Sequence, residues 1–308
     1  MQKNFQIKSN HDGLVLDGMI VSHDHPQAII QISHGMCEHK ERYLDFMNEL
    51  AHQGYLCVIH DHRGHGKSVK NRDDLGYFYQ DGSVGIVEDL HQVTLMIKQL
   101  YPHLPLYLFG HSMGSLVVRC YIQQYDHDID GLIVCGSPSD NPLAGTGIFM
   151  SRLYSLIKCD HYRPQLIQKL SFQSFNKKFD SNVPNSWICS DKQVVSQYNN
   201  NPLCFFTFSA NGFETLFKLV RKTYHSKNWS LNNPSLPILF IAGKEDPCIT
   251  NEKRFNEAVY YMKEKGYQNV TSYLFDNMRH EILNEKDHHL VYQYMSDTLI
   301  KWQKERSF

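Results

Sequence analysis

Gly110-His111-Ser112-Met113-Gly114 places a serine between two glycines, directly after the apolar run Leu106–Phe109 and directly before an amphipathic stretch that begins at Met113. A strand that reverses straight into a helix forces strained backbone angles on such a serine and leaves no room for side chains at Gly110 and Gly114. The hydroxyl then stands at the tip of a sharp bend, where it suits nucleophilic attack on a carbonyl carbon. A serine is a poor nucleophile until a base takes its proton, and that base must be held in one tautomer by a third group. The chain should therefore supply an acid and a histidine further on, each on a loop after a strand.

Ile238–Ala242 is a short apolar run, and the loop after it, Gly243-Lys244-Glu245-Asp246-Pro247, offers two carboxylates. Asp246 is the better candidate, because Pro247 restricts it to an extended conformation and its side chain is shorter and stiffer than that of Glu245. Val270–Phe275 is the last apolar run, followed by Asn277-Met278-Arg279-His280-Glu281. Position after that run singles out His280 as the base among 18 histidines. Asp276, just before this loop, reads as a turn residue. The negative charge that would develop on the substrate oxygen needs two fixed donors. Met113, the residue after the nucleophile, offers one at a helix N-terminus. Met36, in the loop Ser33-His34-Gly35-Met36-Cys37-Glu38-His39, offers the other, with Gly35 permitting the tight approach. Asp61-His62-Arg63-Gly64-His65-Gly66-Lys67-Ser68 lacks the spacing of a phosphate loop and a partner cluster for a metal. It reads as structural, with Asp61 and Arg63 satisfying charge near the floor of the site.

The elements that must position these residues follow from the apolar pattern. A hairpin opens the chain, Phe5 to Lys8 and Leu14 to Val21 around Asn10-His11-Asp12-Gly13. Runs at Ala28–Ile32, Tyr55–Ile59, Leu106–Phe109, Leu132–Cys135, Ile238–Ala242 and Val270–Phe275 then alternate with helical patterns at Arg42–Gln53, Val84–Leu100, Met113–Tyr125, Glu252–Lys265 and His288–Lys304. This is the signature of an α/β fold with a mostly parallel, doubly wound sheet. The alternation stops between 138 and 235, a stretch too long for a loop and rich in Phe, Leu and Trp. It predicts a mostly helical cap inserted into a core formed by 1–137 and 236–308.

Composition narrows the class. With 308 residues, 42% hydrophobic and 20% charged, the chain fits one α/β core plus an insertion. A formal charge of -1 gives no field to attract nucleic acid. The eight cysteines form no C-x-x-C pair, which points to buried thiols. With no apolar block of signal or membrane-spanning length, the expected location is the cytoplasm.

Together these motifs resemble the monoacylglycerol lipase and lysophospholipase branch of the α/β-hydrolases, also classed with the serine aminopeptidases of type S33. The likeness lies in His34-Gly35-Met36-Cys37-Glu38-His39, the 61–68 loop, the elbow around Ser112, and the loops that carry Asp246 and His280. It covers roughly residues 5–137 and 236–305. In the cap, Asn201-Pro202-Leu203-Cys204 is similar to a segment that often begins with Asp in relatives. The resemblance implies an eight-stranded sheet flanked by helices, and hydrolysis of a single-chain acyl ester, a monoacylglycerol or lysophospholipid, through an acyl-serine. It implies no cofactor and no metal, and leaves transient contact of the cap with a membrane surface open. A short-chain carboxylesterase, a serine aminopeptidase and a catalytically silent binding module are the alternatives. Epoxide or haloalkane hydrolysis would need a carboxylate where Ser112 stands.

Overall fold

The hairpin and the six apolar runs become the eight strands of one sheet. The computed structural model describes residues 1–306. Its strands are β1 (Gln2–Lys8), β2 (Val15–Ser22), β3 (Ala28–Ser33), β4 (Tyr55–His60), β5 (Leu106–His111), β6 (Gly131–Cys135), β7 (Ile238–Gly243) and β8 (Val270–Phe275). They lie in the order β1-β2-β4-β3-β5-β6-β7-β8. The pairs β1–β2 and β2–β4 are antiparallel, and the rest are parallel.

β3 to β7 are buried along their whole length, which is why they read as continuous apolar runs rather than alternating ones. Successive side chains still go to opposite faces. Leu108, Leu132, Val134 and Phe240 pack under α2 (Gly82–Leu100), α3 (Met113–Tyr125) and α8 (Glu252–Glu264). Phe109, Ile133, Cys135 and Ile241 pack against α1 (Leu44–His52) and α9 (His288–Arg306). Each such side chain contributes about 1.5–3 kcal/mol through burial.

Two helix starts differ from the sequence expectation. A 3-10 turn, Lys40–Tyr43, precedes α1. The Lys40 ammonium is drawn inside to Asp17 and Asp61, each at 2.7 Å, and its amide donates to Asp61, which fixes this turn apart from the regular helix. Helix α2 begins at Gly82, two residues before Val84, after Asp81 turns the chain at φ 43°.

Between β6 and β7 the chain makes α4 (Ala144–Ile157), α5 (Gln165–Phe172), α6 (Lys192–Asn200) and α7 (Ala210–His225), with no strand. β6 and β7 nevertheless pair directly, Leu132 opposite Ile238. Helix α7 packs on α4 but also on α2 and α3, so Phe213 and Leu219 belong to the core on that face of the sheet. Among the described residues no helix is long and apolar enough to cross a membrane.

Candidate active site

Strand order reverses between β3 and β5, where Ser33 pairs with Gly110. Such a switch point opens a crevice at the carboxyl ends of the strands, and the loops after β3 and β5 meet there. Ser112 has φ 54° and ψ −119°, a strained conformation for a residue with a side chain. It is held by its amide bonding to the Cys135 carbonyl at 2.9 Å and its carbonyl accepting from Ser115 at 2.9 Å. The flanking glycines are required by contact: a Cβ on Gly114 would lie 2.0 Å from the Ser33 oxygen, and one on Gly110 would lie 2.5 Å from the Gly114 oxygen.

The loops after β7 and β8 bring Asp246 and His280 together. His280 Nδ1 lies 2.9 Å from Asp246 Oδ2, both residues being buried. A carboxylate only accepts, so Nδ1 carries the proton and the Nε2 lone pair is left available. The other Asp246 oxygen accepts from the Cys248 amide at 2.8 Å, and Pro247 begins the short helical turn that this capping bond closes. Glu245 turns outward, 3.8 Å from Arg279, and Asp276 pairs with Lys244 at the surface. Among the described residues no hydrogen bond joins Ser112 to His280; His280 Nε2 faces Cys248 Sγ at 3.9 Å.

The amides of Met36 and Met113, the two expected oxyanion donors, have no hydrogen-bond acceptor among the described residues. Gly35 donates its own amide to the Glu38 carboxylate. Glu38 also accepts from Tyr43 Oη at 2.9 Å and Arg42 Nη1 at 3.0 Å, and lies 3.3 Å from His111 Nδ1. Arg42 reaches on to Glu281 with two bonds of 2.7 Å, and His111 Nε2 lies 3.2 Å from the His280 carbonyl oxygen. Burial alone would raise the Glu38 carboxyl, but the hydrogen bond and charge of His111, with Arg42, hold it well below the usual carboxylate range. Burial would likewise lower His111, and Glu38 overcomes it, raising the imidazole above its ordinary value. A buried set of two cations and two anions thus ties the β3 loop, the elbow and the loop of His280.

A second set ties the His280 loop to the segment above it. Arg279 Nη1 donates to the Ser186 carbonyl at 2.5 Å and to the Cys189 carbonyl at 3.0 Å. Its amide donates to Glu285 at 2.9 Å, and Glu285 also accepts from the Ser190 amide at 2.9 Å and from the Ser190 hydroxyl. The Glu281 amide donates to the Ile188 carbonyl at 2.7 Å. Trp187 follows from these anchors, its ring 5.0 Å from that of His280.

The 61–68 loop is structural, but Arg63 does not lie at the floor of the site. It pairs with Asp12 in the β1–β2 turn and Asp89 of α2, each at 2.8 Å, while Asp61 binds Lys40 and the Lys67 amide. Sequence reasoning passed over Glu38, Arg42, His111 and Glu281, although Glu38, His111 and Glu281 stand inside the motifs that flagged their neighbours. Arg279 also stands inside the motif that flagged His280, whereas Trp187, Glu285 and Cys248 carried no such signal, because their roles arise only when distant loops meet.

The model of the serine aminopeptidase S33 family matches residues 24–287. The chain belongs to that family of α/β-hydrolases. Within reach of this S33 chain, the monoglyceride lipase of Rattus norvegicus is 37% identical over 265 residues, covering 84% of this chain and 77% of that one. A monoglyceride lipase homolog of Monkeypox virus is 26% identical over 266 residues, 85% of each chain. Among solved structures, a thermostable carboxyl esterase from Bacillus coagulans in complex with glycerol superposes with a TM-score of 0.88 at 23% identity, covering 97% of this chain and 98% of that one. That likeness establishes the shared fold.

Proposed function

We propose that this S33 chain is a serine carboxylester hydrolase that cleaves single-chain acyl esters, monoacylglycerols or lysophospholipids, through an acyl-serine on Ser112. The observation that supports the reading is the buried 2.9 Å contact of His280 Nδ1 with Asp246, which leaves the Nε2 lone pair free to take a proton. His280 takes the Ser112 proton as Oγ attacks the ester carbonyl, and Asp246 stabilises the imidazolium that forms. The Met36 and Met113 amides, free of other acceptors, receive the oxyanion, a donor of this kind being worth about 2.7–4 kcal/mol in the transition state. His280 then protonates the leaving alcohol and later activates the water that releases the acid.

The acyl preference rests on residues 138–235, read as a cap. Phe149 is 67% exposed, Leu156 85%, Ile157 66% and Leu170 67%, a solvent-facing apolar edge on α4 and α5 suited to a lipid tail or a membrane surface. An ester is favoured over an N-terminal peptide because the buried carboxylates near the site are already engaged: Glu38 and Glu281 with Arg42 and His111, Asp246 with His280 and the Cys248 amide, and Glu285 with Ser190 and the Arg279 amide.

A series of p-nitrophenyl esters from acetate to long chain, followed by monoacylglycerols and lysophospholipids, tests this. Turnover should rise with chain length and vanish in Ser112→Ala. A maximum at acetate would overturn the lipid reading, and faster cleavage of aminoacyl amides than of esters would overturn the ester reading.

A further inference from the structure

Cys248 takes no part in the ester chemistry, yet it stands inside the site. A carboxylate oxygen of Asp246, the Cys248 sulfur and an imidazole nitrogen of His280 lie within 4.8 Å of one another, with 3.9 Å between Cys248 Sγ and His280 Nε2. Asp246 is buried and pairs with no Lys or Arg among the described residues, its contacts being the Cys248 amide and His280. Asp246 accepts from His280 Nδ1, the arrangement that fixes the tautomer of a metal-ligating histidine, and the thiol and Nε2 then supply the sulfur and nitrogen donors that zinc takes. Zinc binds sulfur at about 2.3 Å and imidazole at about 2.0–2.1 Å in tetrahedral geometry, so two such ligands stand roughly 3.5 Å apart. The spacing here needs a closure of only a few tenths of an ångström. Calcium and magnesium want six or more oxygen ligands and do not suit a thiol.

We propose that Cys248 Sγ and His280 Nε2 form an inhibitory site for a thiophilic divalent cation, with zinc as its natural probe and Asp246 orienting the imidazole through Nδ1. On binding, the Cys248 S–H bond breaks, the proton leaves to solvent and the sulfur lone pair binds the ion. His280 Nε2 gives the ion the lone pair it would otherwise give a proton. The bound thiolate and the Asp246 carboxylate behind the imidazole together neutralise the added charge, and the remaining positions stay open to water. Inhibition rests on the reading of His280 as the base, whereas binding does not.

The test uses the full chain with two readouts: ester turnover against zinc, and the ultraviolet thiolate-to-metal absorption that appears with cadmium. Cys248→Ser and Cys248→Ala are compared with the parent, each relative to its own activity without metal, and Cys159→Ala controls for the exposed thiol. The expected result is zinc inhibition of the parent and of Cys159→Ala that a chelator reverses, weakened at least tenfold in both Cys248 variants, with the cadmium band reduced by one thiolate. Equal inhibition of parent and Cys248 variants, no inhibition, or a cadmium band unchanged by the Cys248 substitutions would overturn the site. Loss of the band in the Cys248 variants from a chain that turns over no ester would uphold the metal site and overturn the ester reading instead.

Discussion

Asp246 and Glu245 are adjacent carboxylates with opposite surroundings, one buried against His280 and the other turned out toward Arg279. If Asp246 holds the base in its tautomer, Asp246→Asn should lower kcat/KM by roughly 10³–10⁴-fold, the scale at which other enzymes respond to this change. Glu245→Gln should stay within about threefold of the parent, because a surface charge 3.8 Å from its partner is worth little. Steady-state kinetics on one ester decide between them, and equal losses in both variants would contradict the assignment. The strand-end positions of Ser112, Asp246 and His280 were legible in the sequence, because each follows an apolar run with a short loop. Cys248 and Trp187 were not, since nothing local to either residue records that His280 will arrive beside it from another loop.

The loop carrying His280 is an element held from two sides. Below it, Arg42 bridges Glu38 and Glu281, with both carboxylates buried. Removing the guanidinium in Arg42→Ala leaves both charges unpaired by it and should cost about 3–5 kcal/mol of stability, read as a lower midpoint in denaturant. Above it, Arg279 grips two carbonyls of the 186–190 segment, and Arg279 is only partly buried. Arg279→Ala should therefore leave the denaturation midpoint nearly unchanged while lowering kcat about tenfold, since small displacements of a reacting group are costly. An unchanged kcat would show that the upper grip does not position His280. The inner strands β3, β5 and β7 were legible as apolar runs because helices bury both of their faces, whereas β8, which carries the His280 loop, is an edge strand with Thr271, Ser272 and Tyr273 exposed. The turn before α1 was not legible, because it depends on Lys40 finding Asp17 on β2 and Asp61 in the loop after β4. The partial merging of 138–235 with the core was hidden for a related reason: α7 has the amphipathic pattern of any surface helix, and only tertiary packing shows that its apolar face lies on α2 and α3.

At the scale of the whole molecule, the S33 fold encloses histidines that acid must charge. Burial pushes His60 down to about 3, helped by the charges of Arg63 and Lys40, and pushes His65 down to about 4. His34 and His62 lie well below the ordinary value for the same first reason. Each folded value is below the unfolded one near 6.5, so the unfolded chain binds more protons in that window. The stability these groups contribute is then complete above about pH 6.5 and is lost as pH falls toward 4 and 3, at up to about 1.4 kcal/mol per pH unit for each histidine. His111 works in the opposite direction, its raised value favouring the folded state below the unfolded value. Denaturant midpoints should fall steadily between pH 6.5 and 4, and less steeply in His65→Gln; a flat profile would contradict the burial argument. Nucleophilic catalysis by Ser112 can be tested by labelling the folded chain with a fluorophosphonate and locating the adduct by mass spectrometry. One adduct is expected, on Ser112, formed far more slowly in His280→Ala and absent from Ser112→Ala. An adduct on another residue, or labelling that persists unchanged in Ser112→Ala, would contradict it.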